Sequence, residues 1–204
     1  MQNKPLFVTG IGTDIGKTLI SAILVEKLKC DYWKPVQAGE LDNSDTMKVQ
    51  RLISNIRSVF HPEAYRLTQP YSPHKAAALD GITIEEKTII APKTDNTLLI
   101  EGAGGLMVPL NNHALVIDLI KQLNAEVILV SQNYLGSINH TLLSIEALKQ
   151  RGIPVKGIIF NGEENSSTED YITNYTQVAH LGRIPNLSII DKNTIADAGK
   201  YISL

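Results

Sequence analysis

The chain has 204 residues, 43% apolar and 20% charged, with a formal net charge of −2. That balance suits one globular α/β domain over 1–204, long enough to remove roughly 70% of its unfolded surface from water. It excludes a basic footprint for nucleic acid, and no stretch approaches the roughly 20 apolar residues needed to cross a bilayer.

The single cysteine, Cys30, has no internal partner, which fits a reducing cytoplasmic compartment and equally a secreted protein without disulfides. Met1–Gly10 has only Leu6–Val8 as an apolar core, too short for a secretory signal. Leu6–Thr9 reads as a buried strand, followed by a glycine-rich turn and a helix from about Lys17 to Lys29. Tyr32–Val36 is a second short strand. Asn43 to Asn55 is helical, with Asn43 or Ser44 as N-cap. Thr83 and Glu86 form a capping-box pattern for a helix that ends before Pro92. Thr97–Ile100 is an apolar strand ending in Glu101. Ala114–Asn124 is a helix, Val127–Ser131 a strand, Gly136–Arg151 a helix and Val155–Phe160 a strand. Apolar strands alternating with helices predict a mostly parallel sheet covered on both faces, with ligands beyond the carboxyl ends of the strands.

Gly10–Ile11–Gly12–Thr13–Asp14–Ile15–Gly16–Lys17–Thr18 joins the first strand to the first helix. Glycines let backbone N–H groups turn inward around an anion, and the helix N-terminus adds its positive dipole end. In such a loop Lys17 reaches the outer phosphates of a nucleotide and the Thr18 hydroxyl ligates Mg²⁺. The strict phosphate-loop pattern needs glycine where this chain has Ile11, so the loop is a variant flanked by Gly10 and Gly12.

Glu101 ends an apolar strand, where a carboxylate faces the top of the sheet and suits a Mg²⁺ ligand. The run Gly102–Ala103–Gly104–Gly105 behind it allows close approach of backbone to a ligand. Asp45 stands near a helix start, either as a simple cap or as a second metal ligand. Lys34 lies in a short apolar strand, where an ammonium needs an anionic partner unless it snorkels from a sheet edge.

Taken together these pieces resemble the dethiobiotin synthetases, a family with the P-loop NTPase fold. The resemblance rests on Val8–Thr18, Lys34–Val36, Asn43–Asp45, Ser72–His74, Glu101–Gly105, Leu135–His140 and Leu181–Pro185, with Gly199–Ile202 a weaker match. In order and spacing they cover almost the whole chain. Two departures stand out. Ala38 lies where the family usually has Ser or Thr, and Gly162 lies where an acidic residue can follow Asn161.

The resemblance implies an enzyme that uses ATP and Mg²⁺ to convert diaminopelargonate and CO₂ to dethiobiotin. One amine takes up CO₂ as a carbamate, a carbamate oxygen attacks the γ-phosphate, and the second amine closes the ureido ring. It implies Lys17 and Lys34 as catalytic residues, and Thr18, Asp45 and Glu101 as the metal shell. Thr13, Asp14, Ile15, Gly16, Leu19, Gly102, Ala103 and Gly104 would line the phosphates. Asp14 would also face a substrate amine. Asn161, Gly162, Pro185, Asn186 and Leu187 would flank the adenine, although Asn161 read alone is equally an ordinary turn residue. Ala38 and Ser72 would border the diamine, and Gly136, Ile138 and Asn139 would take its distant carboxylate from the partner subunit of a homodimer.

Two rival readings share the fold. A switch ATPase of the partitioning or septum-placement type has a lysine where this chain has Gly12, and ends the relevant strand in aspartate rather than Glu101. A cobyrinate-type ligase would be a much longer chain with a glutaminase-like domain.

Overall fold

The computed structural model describes residues 4–204, so the first three residues of the expected 1–204 domain lie outside the described residues. Its strands are β1 (Leu6–Gly10), β2 (Asp31–Trp33), β3 (Val36–Ala38), β4 (Phe60–His61), β5 (Tyr65–Leu67), β6 (Leu98–Gly105), β7 (Glu126–Gln132), β8 (Val155–Asn161) and β9 (His180–Ile184). Its helices are α1 (Lys17–Leu28), α2 (Asp45–Leu52), α3 (Pro73–Leu79), α4 (Val116–Gln122), α5 (Ser137–Gln150), α6 (Ser166–Thr176) and α7 (Lys192–Ala198).

Seven strands form one sheet in the order β4-β2-β6-β1-β7-β8-β9, and every strand pairing in it is parallel. Side-chain alternation sorts the core into two layers. Phe7, Ile100, Val127, Leu129, Ile158 and Phe160 point to the face covered by α3 to α6. Val8, Leu99, Ile128, Val130 and Ile159 point to the face covered by α1, α2 and α7. Strands buried on both faces read as unbroken apolar runs, which is why they stood out in the sequence. Because β1 sits mid-sheet with β6 on one side and β7 on the other, the connection after β1 opens at the switch point where such sheets bind ligands.

Several sequence expectations need correction. The predicted strand Tyr32–Val36 is two strands, because Pro35 has no N–H for a ladder. β2 stays in the main sheet, while β3 pairs with β5 in a separate two-stranded sheet. The helix predicted from Asn43 begins at Asp45, with Ser44 Oγ accepting from the Met47 N–H at 3.4 Å. The helix predicted from Thr83 is a single 3₁₀ turn, Glu86–Thr88. Ile84 and Ile89 are both buried there, and on an α-helix residues five apart would point in different directions. The Glu86 carboxylate accepts from Asn111 Nδ2 at 2.6 Å instead of closing a capping box. The helices α3, α6 and α7 and the strands β4, β5 and β9 were not anticipated as elements.

The chain's last described residues tie back to the sheet edge. Gly182 bridges Ile202, and the Ser203 N–H donates to the Leu181 carbonyl at 2.7 Å. Gly182 has φ +138°, and a Cβ there would lie 1.9 Å from the Tyr201 carbonyl oxygen. Gly182→Ala is therefore expected to cost about 2 kcal/mol or more, from both the unfavourable φ and the backbone clash. Chemical denaturation measures it; a loss below about 0.5 kcal/mol, the range of an ordinary surface change, would contradict this close approach.

Candidate active site

The loop between β1 and α1 is built around two left-handed residues, Asp14 (φ 57°) and Gly16 (φ 87°). Gly16 is also hemmed in: a Cβ would lie 2.2 Å from Asn161 Nδ2. Asn161, at the end of β8, donates from Nδ2 to the Ile15 carbonyl at 3.1 Å and so braces the loop from below. No side chain caps the start of α1, where Gly16 is the N-cap residue. Its first N–H groups therefore remain open to an anion. Lys17 folds back over this opening, and its Nζ donates to the Gly12 carbonyl at 3.0 Å.

Beside the loop, three side chains converge on the Glu101 carboxylate. The Thr18 hydroxyl donates to Oε1 at 2.8 Å and Lys34 Nζ donates to the same oxygen at 3.1 Å. The Tyr32 hydroxyl donates to Oε2 at 2.9 Å. Lys34 Nζ also lies 2.6 Å from Asp45 Oδ2, so the ammonium bridges the two carboxylates. Strand pairing explains the convergence. Tyr32 lies opposite Leu99 in neighbouring parallel strands, and Glu101, two residues beyond Leu99, shares its face.

Burial alone would lower the Lys34 ammonium, but the adjacent charges of Glu101 and Asp45 outweigh it and hold the group above the ordinary lysine range. Asp45 is the mirror case. Burial would raise it, and the charge and hydrogen bond of Lys34 bring it below the ordinary aspartate value. Lys17 is pulled down by burial against the opposing attraction of Glu101. Burial, then the nearby Glu101 charge, pushes the Tyr32 phenol well above its usual value.

A cavity of about 830 Å³ gathers many of the expected residues. Its lining includes Thr13, Asp14, Gly16, Lys17, Thr18, Lys34, Ala38, Asp45, Ser72, Glu101, Ala103 and Gly104. Ile15 is buried beneath it, Leu19 packs toward the core layer of α1, and Gly102 offers its carbonyl to Lys34 Nζ at 3.5 Å. Asn161, Gly162, Pro185, Asn186 and Leu187 lie outside this lining. Asn161 bonds the loop at Ile15, and Gly162 has the Asn186 side chain close beside it. Gly136, Ile138 and Asn139 line a different cavity, of about 790 Å³, at the start of α5. Within one chain, then, the α5 segment is not brought to the phosphate loop.

Sequence reasoning missed two residues of the site. Tyr32 was legible only through its spacing, two residues before Lys34 on a strand. Gln37, beside Ala38, has a structural task. Its Oε1 accepts from the Asp45 N–H at 3.1 Å, and its Nε2 donates to the Gly39 carbonyl at 3.0 Å.

The donor set fits a small hard cation. Thr18, Asp45 and Glu101 offer oxygens only, and the Lys34 ammonium already marks a point where both carboxylates meet one positive charge. Among the described residues no cluster of three or more His, Cys, Asp or Glu side chains suits a metal. A cation here would thus depend on a nucleotide's phosphate oxygens and water, the habit of Mg²⁺ rather than of a metal in an all-protein cage.

Comparison with known proteins gives two kinds of likeness. A family model described as an AAA domain matches residues 4–194. The ATP-dependent dethiobiotin synthetase BioD of Christiangramia forsetii is 54% identical over 95% of this chain and 93% of its own length. The protein of the same name from Nitrobacter hamburgensis is 46% identical over 95% of this chain and 91% of its own. Among solved structures, the septum site-determining protein MinD of Pyrococcus horikoshii, complexed with Mg-ADP, superposes with a TM-score of 0.63 at 14% identity. That match covers 95% of this chain and 86% of the other. A ParA family ATPase from Chlorobium tepidum gives 0.56 at 14% identity, covering 98% and 100%. The structural neighbours establish the fold.

The Lys34–Asp45 pair makes stability pH-dependent in a defined direction. The lowered Asp45 value means that its contribution is present above the ordinary aspartate pKa, about 3.9, and is lost as pH falls through the folded value. The raised Lys34 value means that its contribution is complete below about 10.4 and fades only at higher pH. In metal-free and nucleotide-free protein, Asp45→Asn should cost about 1–3 kcal/mol at neutral pH, and less below about pH 4. Urea denaturation of both proteins at the two pH values measures the difference; an equal cost at both would remove this linkage.

Proposed function

The chain belongs to the ATP-dependent dethiobiotin synthetase family, and from that premise we propose how its residues divide the work. It is a ligase of biotin biosynthesis that closes the ureido ring of dethiobiotin from 7,8-diaminopelargonate, CO₂ and ATP. The observation that carries the assignment of roles is the single cavity in which a phosphate loop meets a buried lysine bridging two carboxylates.

The reaction brings anions together: a carbamate, formed on one amine, must approach the γ-phosphate of ATP. Positioning and charge neutralisation therefore dominate over strong base catalysis. The open N–H groups of α1 and the Lys17 ammonium bind the phosphates. Lys34, held charged by its surroundings, faces the carbamate oxygens. Thr18, Asp45 and Glu101 would hold Mg²⁺, which would supply neutralisation of the phosphate charge. The carbamate oxygen attacks the γ-phosphorus and ADP leaves; the second amine then attacks the carbamoyl carbon and releases phosphate. Thr13, Gly16 and Gly104 border the phosphates and Asp14 a substrate amine. Asn161, Gly162, Pro185, Asn186 and Leu187 flank the adenine, where the unused amide proton and Oδ1 of Asn161 can read a base edge.

A homodimer completes the diamine site in this reading. Gly136, Ile138 and Asn139 stand at the N-terminus of α5, outside the phosphate-loop cavity of their own chain. Around them Leu135 is fully exposed, and Tyr134, Leu143, Tyr171 and Tyr175 are also exposed. An apolar surface of that kind, beside a helix N-terminus suited to a carboxylate, supports a partner subunit docking there. The whole described chain acts as one domain. A cytoplasmic setting is supported by the lone Cys30, whose buried thiol is pushed up to about 12 and cannot join a disulfide within the chain. No helix of the described residues is long and apolar enough to cross a membrane.

Three measurements test the division of roles. Lys17→Ala should lower diamine- and bicarbonate-dependent phosphate release by roughly a hundredfold to a thousandfold, the scale for losing one preorganised charge at a transferring group. Near-normal release would remove Lys17 from phosphoryl transfer. Asn139→Ala should raise the diamine KM while leaving ATP affinity unchanged, since the contact is remote from the reacting atoms. Sedimentation at assay concentration should give twice the chain mass, and a fully active monomer would defeat the shared site.

A further inference from the structure

Tyr32 was not among the expected site residues, yet it has a defined place in the site. The side chain is fully buried, and among the described residues its only side-chain hydrogen-bond partner is the Glu101 carboxylate. Its ring is fixed from three directions. β2 pairs with β6 on one side, and the Phe60 ring of β4 lies 5.6 Å away on the other. The core layer beneath α1 covers its face. The hydroxyl thus arrives at Glu101 on a side chain with almost no freedom of its own.

The two oxygens of Glu101 are used differently. Oε1 accepts from Thr18 and Lys34, both of which line the cavity. Oε2 accepts from Tyr32, which does not. We infer that Tyr32 is a positioning residue, whose hydroxyl holds Glu101 Oε2 in the sheet so that Oε1 alone is presented to the nucleotide-bound cation. The inference rests on the reading of Glu101 as a Mg²⁺ ligand, and it adds a mode of binding: one oxygen, not two. Without the phenol, the carboxylate could rotate about its last bond and offer either oxygen or both. An oriented donor to a metal-binding carboxylate commonly changes metal affinity about 10–100-fold.

Tyr32→Phe keeps the ring and removes only the hydroxyl. With Mn²⁺ as the probe, electron paramagnetic resonance on the ADP complex should show affinity for the ion falling about tenfold or more, while metal-free ADP affinity changes less than about twofold. Turnover should fall through kcat with little change in the diamine KM. A merely structural tyrosine would lower the melting temperature and leave Mn²⁺ affinity untouched, which would overturn the inference. Glu101→Gln separates the two levels. If that variant keeps full Mn²⁺ affinity, the underlying reading of Glu101 fails. If it loses affinity and Tyr32→Phe does not, only the positioning role fails. Should Tyr32→Phe not fold, the wild-type protein still decides. In ¹³C-tyrosine-labelled protein, the exchange-protected Tyr32 hydroxyl proton should move when Mg²⁺ is added to the ADP complex, and an unmoved resonance overturns the inference.

Discussion

The site depends on one buried ion bridge. Lys34 is 4% exposed, and placing an isolated ammonium there would cost several kcal/mol. It is tolerated because Asp45 and Glu101 each bring an oxygen within 3.1 Å. The dependence runs both ways, since Glu101 is 1% exposed and needs Lys34, Thr18 and Tyr32 to satisfy it. Such a bridge contributes little net stability compared with apolar packing, and removing one partner is what costs. In the role proposed for Lys34, its value would lie in keeping a lysine charged where anions must meet. Lys17 shows the contrast: more lightly paired, it is pulled down by burial.

The sheet is what brings these charges together. Glu101 ends an apolar run in β6, and Tyr32 and Lys34 stand two residues apart at the end of neighbouring β2. Pro35 ends β2 and directs the chain into the small β3-β5 sheet, where the Pro35 carbonyl accepts from the Ala64 and Tyr65 N–H groups. That detour carries Gln37 to the backbone of Asp45, so the second carboxylate is fixed by a side chain rather than by strand pairing. A loop that departs from the strict phosphate-binding pattern is stabilised in the same way. Ile11 N–H donates to the Val130 carbonyl of β7, and Asn161 of β8 holds Ile15.

Much of this was legible because parallel strands announce themselves. Runs such as Leu98–Leu99–Ile100 and Val127–Val130 carry no polar residue to confuse their period, and the charged residue that ends such a run is conspicuous. Lys17, Thr18, Lys34, Asp45 and Glu101 are visible as chemistry in the sequence, and the structure brings them into one cavity. The elements that escaped notice are polar or short. α6 is Ser-Ser-Thr-Glu-Asp-Tyr at its start, with only Ile172 as a fully buried anchor among its apolar residues, and β4 has two residues. The Thr83 helix failed for the opposite reason. Its capping pattern was present, but Ile84 and Ile89 are both buried and, five residues apart, would lie about 140° apart around a helix. Tyr32 was missed because a tyrosine in an apolar strand has an ordinary explanation, and only the neighbouring strand reveals what its hydroxyl meets.

The structural neighbours sharpen what the fold can and cannot say. A MinD and a ParA ATPase share the architecture at 14% identity, while dethiobiotin synthetases share about half of the residues. A parallel sheet with a phosphate loop at its switch point is a device for holding a nucleotide, and it leaves the acceptor of the phosphoryl group open. In this chain Lys34 bridges Asp45 and Glu101 in the lining of the same cavity as Lys17. An ATPase whose acceptor is water needs no second buried cation for the nucleophile, because water is neutral. An enzyme whose nucleophile is a carbamate must bring one anion against another. In the division of roles proposed above, the buried ammonium of Lys34 is what would suit a shared nucleotide cradle to an anionic acceptor.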